Sequence, residues 1–122
     1  MGTPTTSTVE DRLEDLFSYI RGGRILDAIQ EFYAEDVVMQ ENSLPPTVGR
    51  EANLEREKQF LSTVKEWKRF DVTTKGFGED VTLYETVMDW VTTDGTPVHV
   101  EQVVVAKWRA GKIIHERYYH NS

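Results

Sequence analysis

The chain contains no cysteine, which removes disulfides, thiolate metal sites and cysteine nucleophiles at once. It has no apolar run near the roughly 18–20 residues that a bilayer span needs. Met1 to Thr8 is polar and threonine-rich, without the basic-then-apolar pattern of a secretory signal, so the cytoplasm is the expected compartment. Positive charge is scarce: 14 Lys and Arg stand against 21 Asp and Glu, a net charge of −7. Such a surface repels phosphate backbones and anionic lipid, so neither nucleic acid nor membrane is an expected partner. No phosphate loop is present, since Gly76-x-Gly78 lies between strands with no helix behind it. Ser18, Ser43 and Ser62 sit in no nucleophile motif. His99, His115 and His120 lack metal-ligand spacing, and no metal or cofactor is expected. His120 with Glu41 and Glu116 as a facial triad is the one metal arrangement to weigh.

What is present suits one globular domain with one core: 122 residues, 39% hydrophobic, with three Trp, five Tyr and five Phe. Residues 1–8 read as a disordered leader and residues 9–122 as the domain. Ser7-x-x-Glu10 has the form of a capping box. Val9, Leu13, Leu16, Phe17 and Ile20 follow at helical spacing, and Gly22-Gly23 ends that helix. A second helix is predicted from Ile25 to Tyr33, with Ile25, Leu26, Ile29 and Phe32 as its stripe. A third is predicted from Arg50 to Glu66, with Leu54, Leu61 and Val64 inward. Its charges, Glu51, Glu55 and Glu57 with Arg50, Arg56 and Lys58, read as a solvated, salt-bridged face.

Between the last two helices, Asp36 to Glu41 is β-favouring. Pro45-Pro46 breaks that strand, and Thr47-Val48-Gly49 is a brief return. From Trp67 the period changes to two. Phe70 to Thr74 alternates, Gly76-Phe77-Gly78 marks a bend, and long strands follow over Val81–Thr92, Val98–Arg109 and Lys112–His120. Asp94-Gly95 and Ala110-Gly111 supply the hairpin turns. Helices followed by a meander imply an α+β fold: a strongly curved, mainly antiparallel sheet closed into a cone by three helices. Cones of this kind hold ligands.

Three stretches carry a resemblance over about Val9 to Asn121. They are Phe32-Tyr33-Ala34-Glu35-Asp36-Val37-Val38, Val48-Gly49-Arg50-Glu51-Ala52, and the closing segment Trp108 to Tyr119. Their order and spacing resemble the SnoaL-like branch of the nuclear transport factor 2-like superfamily, which has the ketosteroid isomerase-like α+β roll. That fold hosts isomerases, cyclases, dehydratases, epoxide hydrolases and non-catalytic binding modules. Ketosteroid isomerases place a base on the first strand, a Tyr donor on the first helix and a protonated Asp on the sheet. The resemblance puts Glu41 at the base, Phe17 in place of the Tyr, and Val104 near the Asp. Steroid isomerisation is therefore not expected. SnoaL-like cyclases and limonene-type epoxide hydrolases carry an Asp on the last strand, where Tyr118 stands here.

The family register turns Tyr84, Met88 and Trp90 inward, where aromatics and a thioether suit an apolar ligand or fill the core. It places Glu116, Tyr118 and His120 inward as well, on the face that contains Ile114. Alternation alone would equally allow His115, Arg117 and Tyr119. Inward polar groups are costly unless paired or wet, which argues for a polar site. The expectation is a pocket for a small apolar carbonyl compound, lined by Phe17, Tyr84, Met88, Trp90, Val104 and Trp108. Glu41 would be the base of a proton-transfer isomerase, cyclase or hydratase, assisted by Tyr118, Glu116 and His120. Glu116 has the alternative of a salt bridge with Arg56 or Lys58. A non-catalytic binding or association module is the alternative function. The half-apolar outer face of the sheet predicts a homodimer.

Overall fold

The computed structural model describes residues 8–120. Ser7 of the expected capping box and the leader before Thr8 lie outside the described residues. Helix α1 (Val9–Arg21) starts instead on Thr8, whose side chain accepts from the Asp11 amide at 3.1 Å. Its expected stripe is buried at Leu13, Leu16 and Phe17. Gly23 closes it with φ of 76°, the left-handed conformation that a side chain disfavours. Helix α2 (Ile25–Phe32) buries Ala28, Ile29 and Phe32. It stops one residue short of the expected end, because Tyr33 is already extended and opens β1 (Tyr33–Glu41).

A two-residue β2 (Thr47–Val48) leads into α3 (Arg50–Leu61). That helix ends well before the expected Glu66. The hydroxyls of Ser62 and Thr63 donate to the Gln59 and Phe60 carbonyls, and Val64 begins β3 (Val64–Gly78). The gain is aromatic packing: Trp67 from β3 meets Trp90 at 5.2 Å between ring centroids and Phe60 at 6.1 Å. β3 also runs straight through Gly76, where a bend was expected. A Cβ there would meet the Leu83 side chain at 3.3 Å, so Gly76 admits a cross-strand neighbour rather than turning the chain. The reversal comes at Asp80, which adopts φ of 58°.

Strands β4 (Val81–Thr92), β5 (Pro97–Arg109) and β6 (Lys112–His120) complete a six-stranded sheet of order β2-β1-β6-β5-β4-β3. All neighbours are antiparallel except β1 and β6, which are parallel. The architecture is the expected α+β, mainly antiparallel one. Alternation in β4 buries Thr82, Tyr84 and Thr86 against the helices and leaves Leu83 exposed. In β6 the expected face is corrected at one point. A register shift opposite Lys107 and Trp108 turns Ile113 into the core instead of Ile114, while Glu116 stays inward. No helix among the described residues is long and apolar enough to cross a membrane.

Candidate functional site

Two neighbouring rows of the sheet organise the site. Met39 of β1 pairs with Glu116 of β6, and Glu41 pairs with Tyr118. Because β6 side chains alternate, Glu116 and Tyr118 share the inner face. Glu116 is fully buried. Its Oε1 accepts from the Tyr33 hydroxyl at 2.6 Å and from the Tyr118 hydroxyl. Its Oε2 is buried with no hydrogen-bond partner among the described residues.

A charged carboxylate in that position would be poorly solvated. Burial therefore pushes Glu116 up to about 7, against the opposing pull of the Tyr118 and Tyr33 hydrogen bonds, while the charge of Glu57 adds to the rise. The three phenols around it, Tyr33, Tyr84 and Tyr118, are all pushed well above their ordinary value, chiefly by burial and secondarily by Glu116. They are neutral donors at any physiological pH. The expected alternative of a salt bridge from Glu116 to Arg56 or Lys58 is not formed: Oε1 takes the two hydroxyls, and Arg56 pairs with Glu41.

Nearer the surface, Glu41 is handled differently. Its Oε2 pairs with Arg56 of α3, and its Oε1 lies 3.0 Å from His120 Nε2. The Glu41 and Arg56 side chains are 38% and 42% exposed. Arg56 Nη1 also reaches the Thr47 hydroxyl at 3.4 Å. Glu41, Arg56 and Thr47 line a mouth cavity of about 280 Å³ with Leu44 and Pro45. Tyr118 spans the two levels: its backbone lies beside Glu41, and its hydroxyl reaches Glu116.

Of the charges of α3, Glu51, Glu55, Arg56 and Lys58 are exposed as their spacing suggests, while Arg50 and Glu57 are half-buried. Arg56 crosses to β1, and Arg50 donates to the Tyr33 carbonyl at 3.3 Å. Glu57 is pushed up by burial, with Arg56 opposing and Glu41 reinforcing the rise. Asn53, buried, donates to the Gly49 and Thr47 carbonyls at 2.8 and 3.1 Å and fixes the entry to α3.

The other expected site residues divide into groups. Tyr84 and Val104 are buried in the Tyr118 row. Phe17 packs edge-on against Tyr84 with centroids 4.8 Å apart, so it supports the tyrosine layer from α1. Trp108 is buried and donates to Thr82 at 3.0 Å. Met88 is half-buried and pairs with Phe70. Trp90 packs on Phe60 and Trp67, six residues and about 20 Å along β4 from Tyr84. The structure thus gathers Glu116, Tyr118, Tyr84 and Val104, sets Glu41 and His120 one level outward, and leaves Trp90 at the far end.

No group of three or more His, Asp or Glu side chains able to hold a metal occurs among the described residues. His99 is exposed and lies between Asp89 at 2.6 Å and Glu101 at 2.9 Å. Tyr33 escaped the sequence reading, hidden by its assignment to a helix end, whereas Arg56 was weighed as a partner of Glu116 and is paired with Glu41 instead. The β-favouring run after Tyr33 is the signal that could have found it.

Comparison with known proteins places this geometry. Residues 13–116 match the family model described as the SnoaL-like domain. Among solved structures, a candidate SnoaL-like polyketide cyclase from Mesorhizobium loti is 22% identical with a TM-score of 0.76, covering 92% of this chain and 98% of its own. A candidate isomerase from Bacillus subtilis is 17% identical with a TM-score of 0.71, covering 91% and 84%. TerC co-crystallised with polyporic acid is 13% identical with a TM-score of 0.78, covering 95% and 92%. A comparison with curated proteins returns no match. At these identities the likeness to solved structures shows the fold alone.

Proposed function

The chain belongs to the SnoaL-like domain family, and we propose that it is a small-molecule pocket protein that transfers a proton next to a carbonyl group. One observation carries the reading: a buried carboxyl held by two phenols through one oxygen, with its second oxygen bare. A group brought to about 7 has both protonation states available at neutral pH, as a general acid–base needs. Glu116 takes the proton from carbon, the C–H electron pair becomes the enolate, and the same carboxyl returns the proton to carbon or oxygen. Tyr118 and Tyr33 hold the carboxyl with their hydroxyls, and Tyr84 supplies a neutral hydroxyl able to stabilise the developing oxyanion. Glu41, the base expected from the sequence, and His120, one of its expected helpers, become the groups at the entrance. The names of the relatives, cyclase and isomerase, and the small acid bound by TerC agree in kind with this reading.

The test is exchange of α-hydrogens of a panel of small ketones in D2O, followed by proton NMR. The protein should accelerate exchange for at least one, and Glu116→Gln should lower that rate by about 10²–10⁴-fold. Absence of acceleration across the panel would defeat the catalytic reading.

A specific observation also favours self-association through the outer sheet face. Leu83 is 39% and Tyr119 42% exposed there. Leu83 pairs with Val105, which pairs in turn with Arg117, and Val103 pairs with Glu85 and Tyr119, giving an apolar strip edged by opposite charges. Light scattering after size exclusion should give twice the monomer mass at micromolar concentration, and a monomer there would remove the dimer.

A further inference from the structure

The mouth contains a cation already neutralised by the protein's own carboxylate. Arg56 offers a planar fork suited to a carboxylate, yet Glu41 takes up Nη2 and Thr47 makes only a long contact with Nη1. The pair is open to solvent on both sides, where ion pairs of this kind are worth about 0–1 kcal/mol. An incoming anion can therefore exchange with Glu41 at little cost. Glu41 would not be stranded by the exchange, because His120 Nε2 lies 3.0 Å from its other oxygen.

The surroundings fit a molecule with one acidic end and an apolar body. The Thr47 hydroxyl can donate beside Arg56, and Leu44 and Pro45 provide apolar walls. Glu41 pairs with Tyr118 in the sheet and the Tyr118 hydroxyl reaches Glu116, so a single side chain links the mouth to the acid–base group.

We infer that Arg56 is the specificity-determining residue for a carbonyl compound bearing a carboxylate or similarly acidic group, and that Glu41 is its built-in competitor. The inference rests on the reading of the cone as a small-molecule site. It goes further in naming the charge of the ligand and the residue that selects it.

Two matched probes test it, 4-acetylbenzoate and 4-acetylbenzamide, which share the ketone and differ in the charge opposite it. Binding is followed by chemical-shift titration, and exchange of the acetyl hydrogens in D2O is read in the same samples. The acid should bind about tenfold more tightly than the amide. Arg56→Met should abolish that preference, and Arg56→Lys, which keeps the charge without the fork, should retain part of it. Glu41→Gln should tighten binding of the acid and leave the amide unchanged. Equal affinity for the two probes, a preference that survives in Arg56→Met, or no saturation by either probe in the millimolar range overturns the inference. Its failure is distinguishable from failure of the proton-transfer reading. Exchange that depends on Glu116 without charge preference rejects Arg56 alone, whereas charge preference without exchange upholds Arg56 and rejects catalysis on this ketone.

Discussion

Glu116 and Glu41 are the same residue type in adjacent rows of one sheet, and the fold treats them in opposite ways. Glu116 is buried among phenols, and no ion pair to it forms among the described residues. Glu41 sits at the mouth between Arg56 and His120. The difference shows that a carboxyl can be prepared for proton transfer by removing water rather than by adding charge. Two hydroxyl donors do not undo the burial, because they satisfy one oxygen and leave the other bare.

Replacing Glu116 should have the largest consequence for that contrast. The unfolded carboxyl releases its proton near 4.5, whereas the folded one keeps it to about 7. Between those values the native state holds the extra proton, so stability falls as pH rises and levels off above 7. The loss is about 3 kcal/mol. Glu116→Gln keeps the shape, and the side-chain oxygen still accepts from both tyrosines. Urea unfolding at pH 5 and pH 8 should therefore show the variant losing about 2–3 kcal/mol less than the parent between the two. The same substitution removes proton transfer, the trade of stability for function expected of a strained site. A parent protein with the same pH response as the variant would mean that Glu116 is better solvated than its burial indicates.

A smaller effect separates the two phenols from the burial. Tyr118→Phe and Tyr33→Phe each remove a donor that opposes the rise, so the Glu116 carboxyl should move further up in both. Tyr118 exerts the stronger opposing pull, so its removal should move Glu116 more. Each variant should lose about 1–3 kcal/mol, the cost of leaving a buried acceptor short of a donor. Carboxyl carbon NMR of Glu116 checks the order. A downward shift in either variant would reverse the roles assigned to the hydroxyls.

Much of this was legible before the structure, and the boundary has physical causes. The α1 stripe, the hairpin turns and the three long strands follow from local periodicity and turn chemistry, and all appear. The end of α3 did not follow. Charged residues up to Glu66 support a helix locally, but packing of Trp67 on Trp90 is won across more than 20 residues of chain. Gly76 reads as a bend because sequence cannot show that Leu83 lies over it. At the site, alternation put Glu116, Tyr118 and His120 on one face, and only the family resemblance turned that face inward. It could not rank Glu116 above Glu41. That ranking depends on depth in the cone, and on Tyr33 and Arg56 arriving from elements distant in sequence.

The mouth supplies the smallest and most discriminating effect. Its ion pair is exposed, so Glu41→Gln and Arg56→Met should each change stability by less than about 1 kcal/mol, and less still at high salt. Glu57 reports the balance between the two more sensitively than stability does, because burial already holds its carboxyl high while Arg56 and Glu41 pull in opposite directions. Arg56→Met removes the lowering influence and should move Glu57 further up. Glu41→Gln removes a raising one and should bring it down. Carboxyl NMR of Glu57 in the two variants should thus give shifts of opposite sign at nearly equal stability. Shifts of the same sign would mean that the pair acts as one neutral unit, and that charge at the mouth is not felt at the depth of the tyrosines.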